Sequence, residues 1–170
     1  MIMDGLVLCK ATTDDGMDVR DMLREIGPGE NGFENHAYDL SEADFKKWLQ
    51  SRVEMETGIN LDAKYVPMTT YWLRRNGYPI GTSKLRHRLN EALLQGGGHL
   101  GFCIRPTERG KGYAKKLLTL TLARAQQMGI TKVLLTCDIG NAPSWRTIES
   151  CGGKLERTTE KDRFYWIQTG

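Results

Sequence analysis

The feature that most constrains this chain is a strand, a glycine-bearing turn and a long helix that follow one another directly between residues 99 and 129. His99-Leu100-Gly101-Phe102-Cys103-Ile104 reads as a strand, and Pro106 stops it because proline cannot donate to a ladder. Arg109-Gly110-Lys111-Gly112-Tyr113-Ala114 forms the turn, and residues 112–128 make the clearest helix of the sequence. Ala114, Leu117, Leu118, Thr121, Leu122, Ala125 and Met128 fall within an arc of about 140° at about 100° per residue. Gly129 supplies the C-terminal cap. A helix with so wide an apolar stripe must lay it on another element, so the rest of the chain has to supply a sheet.

The flanking segments do so. Leu6–Lys10 is a short apolar strand, and Thr12 with Asp15 has the form of a capping box ahead of Val19, Met22, Leu23 and Ile26 at helical spacing. Gly27-Pro28-Gly29 ends that helix, and residues 27–40, rich in Gly, Asn and Glu, read as a surface loop. Ser41 and Asp44 repeat the box before Phe45, Trp48, Leu49 and Val53. Asn76-Gly77 between the runs 69–74 and 80–85 predicts a hairpin. After the Gly96-Gly97-Gly98 breaker and the central unit, residues 133–137 read as a fully buried strand. Asn141 caps a short helix with Pro143 in its first turn, Gly152-Gly153 ends it, and the runs 154–157 and 164–167 close the chain. This order predicts an α/β (α+β) fold with a single mixed, mostly antiparallel twisted sheet of about seven strands and flanking helices. A chain of 170 residues has the size of one domain and buries about 70% of its unfolded surface, so residues 1–170 are expected to form a single domain.

The central unit is also an anion site by its physics. Unsatisfied N–H groups and the positive end of the helix dipole converge where the helix begins. Gly110 and Gly112 let backbone approach a phosphate without a side chain in the way, and Arg109, Lys111, Lys115 and Lys116 add positive charge. Spacing decides among the sites that share this logic. A P-loop needs G-x-x-x-x-G-K-[ST], which is absent. A dinucleotide fingerprint needs a third glycine where this chain has Lys115, and it belongs after a first strand rather than a fourth. The pattern [RQ]-x-x-G-x-[GA] remains, met by Arg109, Gly112 and Ala114.

With Phe102-Cys103-Ile104-Arg105-Pro106 running into that turn, the helix to Gly129, the buried strand to Asp138 and the helix from Asn141 to Cys151-Gly152-Gly153, the sequence resembles the GNAT superfamily of N-acetyltransferases, closest to bacterial members of unassigned substrate. The resemblance implies a GNAT-like acyl-CoA N-acyltransferase fold and an enzyme that moves the acetyl group of acetyl-CoA, a cosubstrate, directly to an amine of a small molecule or peptide. It implies that backbone of Phe102, Cys103 and Ile104 pairs with the pantetheine arm, Ile104 being the main donor and acceptor. The N–H groups of Gly110, Lys111, Gly112, Tyr113 and Ala114 would hold the pyrophosphate, with Arg109 positioning the turn. Asn141 matches the asparagine that contacts pantetheine, a role compatible with capping, and Ser144 lies one turn further on.

The chain departs from the family seven residues after Asn141. Many members carry there a tyrosine thought to protonate the departing thiolate, and this chain has Ile148. The omission is tolerable, because a thiol of pKa near 8.5 leaves as thiolate at pH 7 at a cost of roughly 2 kcal/mol. Deprotonating the acceptor amine is the harder demand. His99 is the first candidate base by chemistry, although strand alternation points it away from the face of Gly98, where the family often has a glutamate. Asp138 is the second candidate.

A formal net charge of +3, with 24 basic residues spread among 21 acidic ones, argues against a nucleic-acid partner. No long apolar run or leader-like segment is visible, so a cytoplasmic protein without a membrane partner is expected. Cys9, Cys103, Cys137 and Cys151 lack metal-ligand spacing and read as buried free thiols, and no metal is expected. Arg86-His87-Arg88 reads as a solvated loop, with a basic lip for an anionic acceptor as the other reading. Trp48, Tyr71, Trp72 and Trp166 read as core. Two further functional readings stay open: a non-catalytic acyl-CoA-binding regulatory module, and a nucleotide or redox domain using the same turn. Acceptor choice is expected to reside in residues 27–40 and 86–98, and a homodimer is possible by resemblance.

Overall fold

The computed structural model describes residues 5–30 and 33–170. In chain order the elements are β1 (Leu6–Lys10), α1 (Met17–Ile26), β2 (Gly29–Glu30), β3 (Phe33–Glu34), α2 (Glu42–Thr57), β4 (Met68–Arg75), β5 (Tyr78–Arg86) and α3 (Glu91–Gln95). They continue with β6 (Leu100–Ile104), a 3₁₀ turn (Pro106–Glu108), α4 (Tyr113–Gln127), β7 (Lys132–Asp138), α5 (Ala142–Ser150), β8 (Lys154–Thr158) and β9 (Asp162–Gln168).

Seven strands carry the fold, in two antiparallel groups ordered β1-β4-β5-β6 and β7-β9-β8. The groups touch at the Gly98–Leu135 bridge and diverge beyond it. β2 and β3 form a separate small hairpin inside the expected 27–40 loop, with residues 31 and 32 of that loop outside the described residues. The Asn76-Gly77 hairpin forms as expected, with φ of 48° and 85°, the pair of positive values that a type I′ turn requires.

Period-2 alternation sorts the strand side chains onto two faces. Tyr71 and Leu73 of β4 join Leu100 and Ile104 of β6 beneath α4, whereas Trp72 and Cys103 face α1 and α2. The α4 stripe behaves as its spacing predicts over most of its length. Leu117, Leu118, Thr121 and Ala125 are fully buried, and each leucine contributes roughly 1.5–3 kcal/mol of burial. Met128, expected on the same face, lies past the helix end and is exposed. The one polar member of the stripe is satisfied, since Thr121 Oγ1 and Ser83 Oγ are 2.8 Å apart.

Three local expectations differ. Ser41 does cap α2, accepting from the Asp44 N–H at 3.1 Å, but the N-cap of α1 is Gly16 rather than Thr12. Thr12 and Asp15 instead close a turn before the helix, the Thr12 N–H donating to Asp15 Oδ2 at 2.7 Å. The same carboxylate oxygen also accepts from Trp72 Nε1 at 2.7 Å, so the turn is tied to β4 by a tertiary contact. Arg86 is the last residue of β5 rather than part of a loop. α3, capped by the Asn90 side chain, was not apparent from spacing. Among the described residues no helix is long and apolar enough to cross a membrane.

Candidate active site

The site is built on the divergence of β6 from β7. At Gly98 the two strands are pinched together: φ is +60°, and a Cβ there would lie 2.4 Å from the Leu134 carbonyl oxygen, so only glycine allows the approach. The His99 N–H donates to that same carbonyl at 2.8 Å. Beyond this point β6 has no strand on one side. The Arg86 N–H bonds the His99 carbonyl at one end of the β5–β6 ladder, and the Arg105 N–H bonds the Ile80 carbonyl at the other. Alternation between these ends turns the amides of Gly101 and Cys103 toward β5 and those of Phe102 and Ile104 toward the gap.

The gap opens into a cavity of about 990 Å³, at the upper end of the range for ligand pockets. One end is the turn before α4. Gly110 and Gly112 hold φ of +77° and +81°, and a Cβ at either would meet no atom within 4 Å. These glycines are required by conformation, and the space beside them is open to a ligand. Arg109 folds back beneath the turn, its Nε donating to the Ile104 carbonyl at 3.0 Å, which explains how a basic side chain can position this loop. Gly112 caps α4 without any side-chain acceptor, so the first-turn N–H groups face the cavity end. Ala114 and Lys115 line it too. Tyr113 contributes mainly backbone, because its ring is buried in the core with the Arg75 guanidinium 6.0 Å away. Lys111 is placed differently from expectation: its ammonium turns to Glu108 at 2.8 Å and does not line the cavity.

The opposite wall comes from β7 and α5. Thr136, Cys137, Asn141, Ser144 and Thr147 line it. Asn141 occupies the N-cap position of α5 but makes no side-chain cap bond, so the expected capping role is absent, and the residue lines the cavity. Thr147 Oγ1 donates to the Pro143 carbonyl at 2.8 Å. Burial pushes the Cys137 thiol up to about 11, with the Ser144 hydroxyl hydrogen-bonded to it, so it is a neutral thiol at working pH.

Both expected bases lie elsewhere. His99 is 5% exposed and absent from the cavity lining, and its Nδ1 accepts the Leu134 N–H at 2.9 Å. Burial, with Arg86 nearby, lowers its pKa to about 4, so it is a neutral structural imidazole whose proton-accepting nitrogen is already used. Asp138 also lies off the cavity. It pairs across β7–β9 with Asp162, whose carboxyl is raised by burial and then by Asp138 itself. Ile148 is in the core at 1% exposure.

The far end of the cavity draws on three separate stretches of chain. Phe33 and Glu34 reach it from β3, Lys84 and Arg86 from β5, and Gly96 and Gly97 from the turn after α3. They come from the two segments expected to govern acceptor choice, with Lys84 added. Lys84 Nζ donates to the Glu34 carbonyl at 2.6 Å and sits 4.7 Å over the Phe33 ring. Burial first, then Arg52 and Arg86, lower its pKa to about 8. One signal could have found it, since Lys84 is the single charged residue in the run 80–85. Among the described residues no group of three or more His, Cys, Asp or Glu is placed to hold a metal.

Comparison with known proteins agrees with this geometry. The family model described as an acetyltransferase (GNAT) domain matches residues 10–154. Among solved structures, the ribosomal-protein-S5-alanine acetyltransferase of Vibrio fischeri superposes with a TM-score of 0.75 at 13% identity, covering 99% of this chain and 96% of that one. A ribosomal L7/L12 alpha-N-protein acetyltransferase in complex with coenzyme A gives 0.77 at 12% identity over 99% and 96%. An N-acetyltransferase from Staphylococcus aureus Mu50 gives 0.67 at 14% identity over 97% and 99%. No curated protein sequence matches at a significant level. The strand divergence, the glycine turn at the start of α4 and a family match spanning most of the chain together show that this protein belongs to the GNAT family of acetyltransferases.

Proposed function

We propose that the protein acts as one domain that binds acetyl-CoA in the gap between β6 and β7 and transfers its acetyl group to a primary amine entering past Phe33, Lys84 and Arg86. The observation that carries this reading is the open edge of β6 leading to the left-handed glycines at the start of α4. The residues fit the cofactor: the space beside Gly110 and Gly112 suits a pyrophosphate, and the outward amides of Phe102 and Ile104 suit an amide-bearing arm laid like a strand. Two of the structural neighbours act, by name, on the alanine of a ribosomal protein and on an alpha-nitrogen, which supports an amine acceptor.

Acetyl-CoA, when bound, supplies an activated thioester. The chain's own contribution is mostly positioning. Holding amine and thioester in register is worth up to roughly 7–11 kcal/mol, more than the roughly 2 kcal/mol that a missing acid costs on thiolate departure.

Thiol release from acetyl-CoA on adding primary amines, with CoA affinity measured by calorimetry, tests this. Tight CoA binding without release across amines and peptides would reduce the protein to a binding module. Stabilisation by NAD or ATP but not by CoA would overturn the site assignment.

A further inference from the structure

The acceptor end of the cavity is cationic in a way that amine transfer alone does not need. Lys84 and Arg86 both line it, and Arg52 approaches from α2 on the far side of Lys84, its guanidinium stacked 5.4 Å from the Trp48 ring centroid. Among the described residues no carboxylate lies within ion-pair distance of any of the three. Glu34 is nearby but turns its carboxylate outward to His36 at 3.3 Å, and it meets Lys84 only through its backbone carbonyl. Arg86 uses Nη1 on the Gly98 carbonyl at 3.1 Å, while its Nη2 and Nε donate to no described residue. The field of Arg52 and Arg86 at Lys84 outweighs that of Glu34.

Partly desolvated cations that make no ion pair among the described residues, with Glu34 the nearest carboxylate and turned outward, are costly to keep. A cationic wall also repels a protonated amine, so it disfavours polyamines. Taken with the acetyl-transfer reading, on which this rests, we infer that the acceptor is a small primary amine that also carries an anionic group, a carboxylate or phosphate, held by Lys84 and Arg86. Anchoring by the anion brings the amine into a positive field that lowers its pKa. That favours the neutral nucleophile at a site where, among the described residues, no histidine lines the cavity. Gly101, opposite Lys84 in the β5–β6 register, leaves its side-chain position open beneath the Phe33 ring, 3.7 Å from where a Cβ would stand.

The test compares matched acceptors on the CoA-saturated protein. N-acetyl-aspartate, N-acetyl-glutamate and N-acetyl-phosphoethanolamine are compared with N-acetyl-asparagine amide and N-acetyl-ethanolamine as product-side ligands by thermal shift. In parallel, aspartate, glutamate, β-alanine and phosphoethanolamine are compared with glycinamide and 1,4-diaminobutane for turnover. The expected result is stabilisation by the anionic members alone, and kcat/KM at least tenfold higher for the anionic amines. In the Lys84→Met/Arg86→Gln variant that ratio falls at least tenfold while CoA affinity and circular dichroism are retained. A peptide beginning with aspartate separates a small acceptor from a protein N-terminus, and preference for the peptide would overturn the small-molecule assignment. Stabilisation that is absent, or equal for acids and amides, overturns the inference while leaving CoA binding intact, as does a variant that slows all acceptors equally. Loss of CoA binding itself in the unmodified protein would instead strike the parent reading.

Discussion

Replacing Gly112 by glutamate separates the two roles that the turn before α4 plays. Its φ of +81° costs any side-chain-bearing residue about 1–2 kcal/mol, but no heavy atom lies within 4 Å of the Cβ position, so there is no steric clash to add. In a chain of 170 residues that strain lowers Tm by about 2 to 8 °C, and Gly112→Ala should show the same loss. The glutamate adds a carboxylate at a helix terminus whose open N–H groups face the cavity. At about 4 Å and an effective dielectric of about 20, one such charge opposes one phosphate charge by about 4 kcal/mol. After screening, CoA affinity should fall at least about 100-fold in Gly112→Glu and less than about tenfold in Gly112→Ala. Calorimetric titration of CoA into both variants, with Tm as the control for fold, reads the difference. Equal CoA affinity in the two variants would refute a phosphate at this turn, however much both were destabilised.

Three further outcomes follow from buried positions. Gly98→Ala places a methyl 2.4 Å from the Leu134 carbonyl oxygen at the seam of the two strand groups; a loss of about 3 kcal/mol in urea unfolding is expected, with CoA affinity lowered as β6 shifts. His99 has a folded pKa near 4 against about 6.5 unfolded, so between these values only the unfolded chain takes up the proton. Stability is therefore full above about pH 6.5 and falls by about 3 kcal/mol toward pH 4, and His99→Asn should flatten that slope in denaturation series at pH 5 and 7 without altering the pH profile of thiol release. Ile148→Tyr should not supply an acid: the side chain is 1% exposed in the core beneath α5, so overpacking costs about 1–3 kcal/mol with no gain in kcat, measured by thermal melt and single-turnover rate.

The functional logic of the fold lies in where pairing stops. Gly98 lets β6 touch β7 once, and the strands then separate so that the amides of Phe102 and Ile104 face a gap. A glutamate at position 98, the kind of residue the family often uses there, could not make that approach in this chain, since its Cβ would strike the Leu134 carbonyl. The site is thus left without a side-chain base on this strand. The next strand instead brings two cations, Lys84 and Arg86, to the acceptor end.

Much of this was legible in the sequence because it depends on local spacing. The α4 stripe, the Asn76-Gly77 hairpin, the Ser41 cap and the glycine turn each follow from residues within a few positions of one another, and backbone sterics leave little choice at Gly110 and Gly112. What the tertiary structure alone decided involves partners far apart in the chain. Asp15 holds Trp72, 57 residues on, as well as Thr12; His99 gives its Nδ1 to Leu134; and Lys84 joins Phe33 and Glu34, some 50 residues earlier, at one end of the cavity. Strand alternation said that His99 points away from the face of position 98, yet only the packing of β7 against it showed that the imidazole is neutral and spoken for. The glycine turn that most constrained the chain therefore specified the cofactor end by sequence alone, because backbone N–H groups need only conformation. The acceptor end needed the fold, because side-chain charges act through neighbours that the sequence does not place side by side.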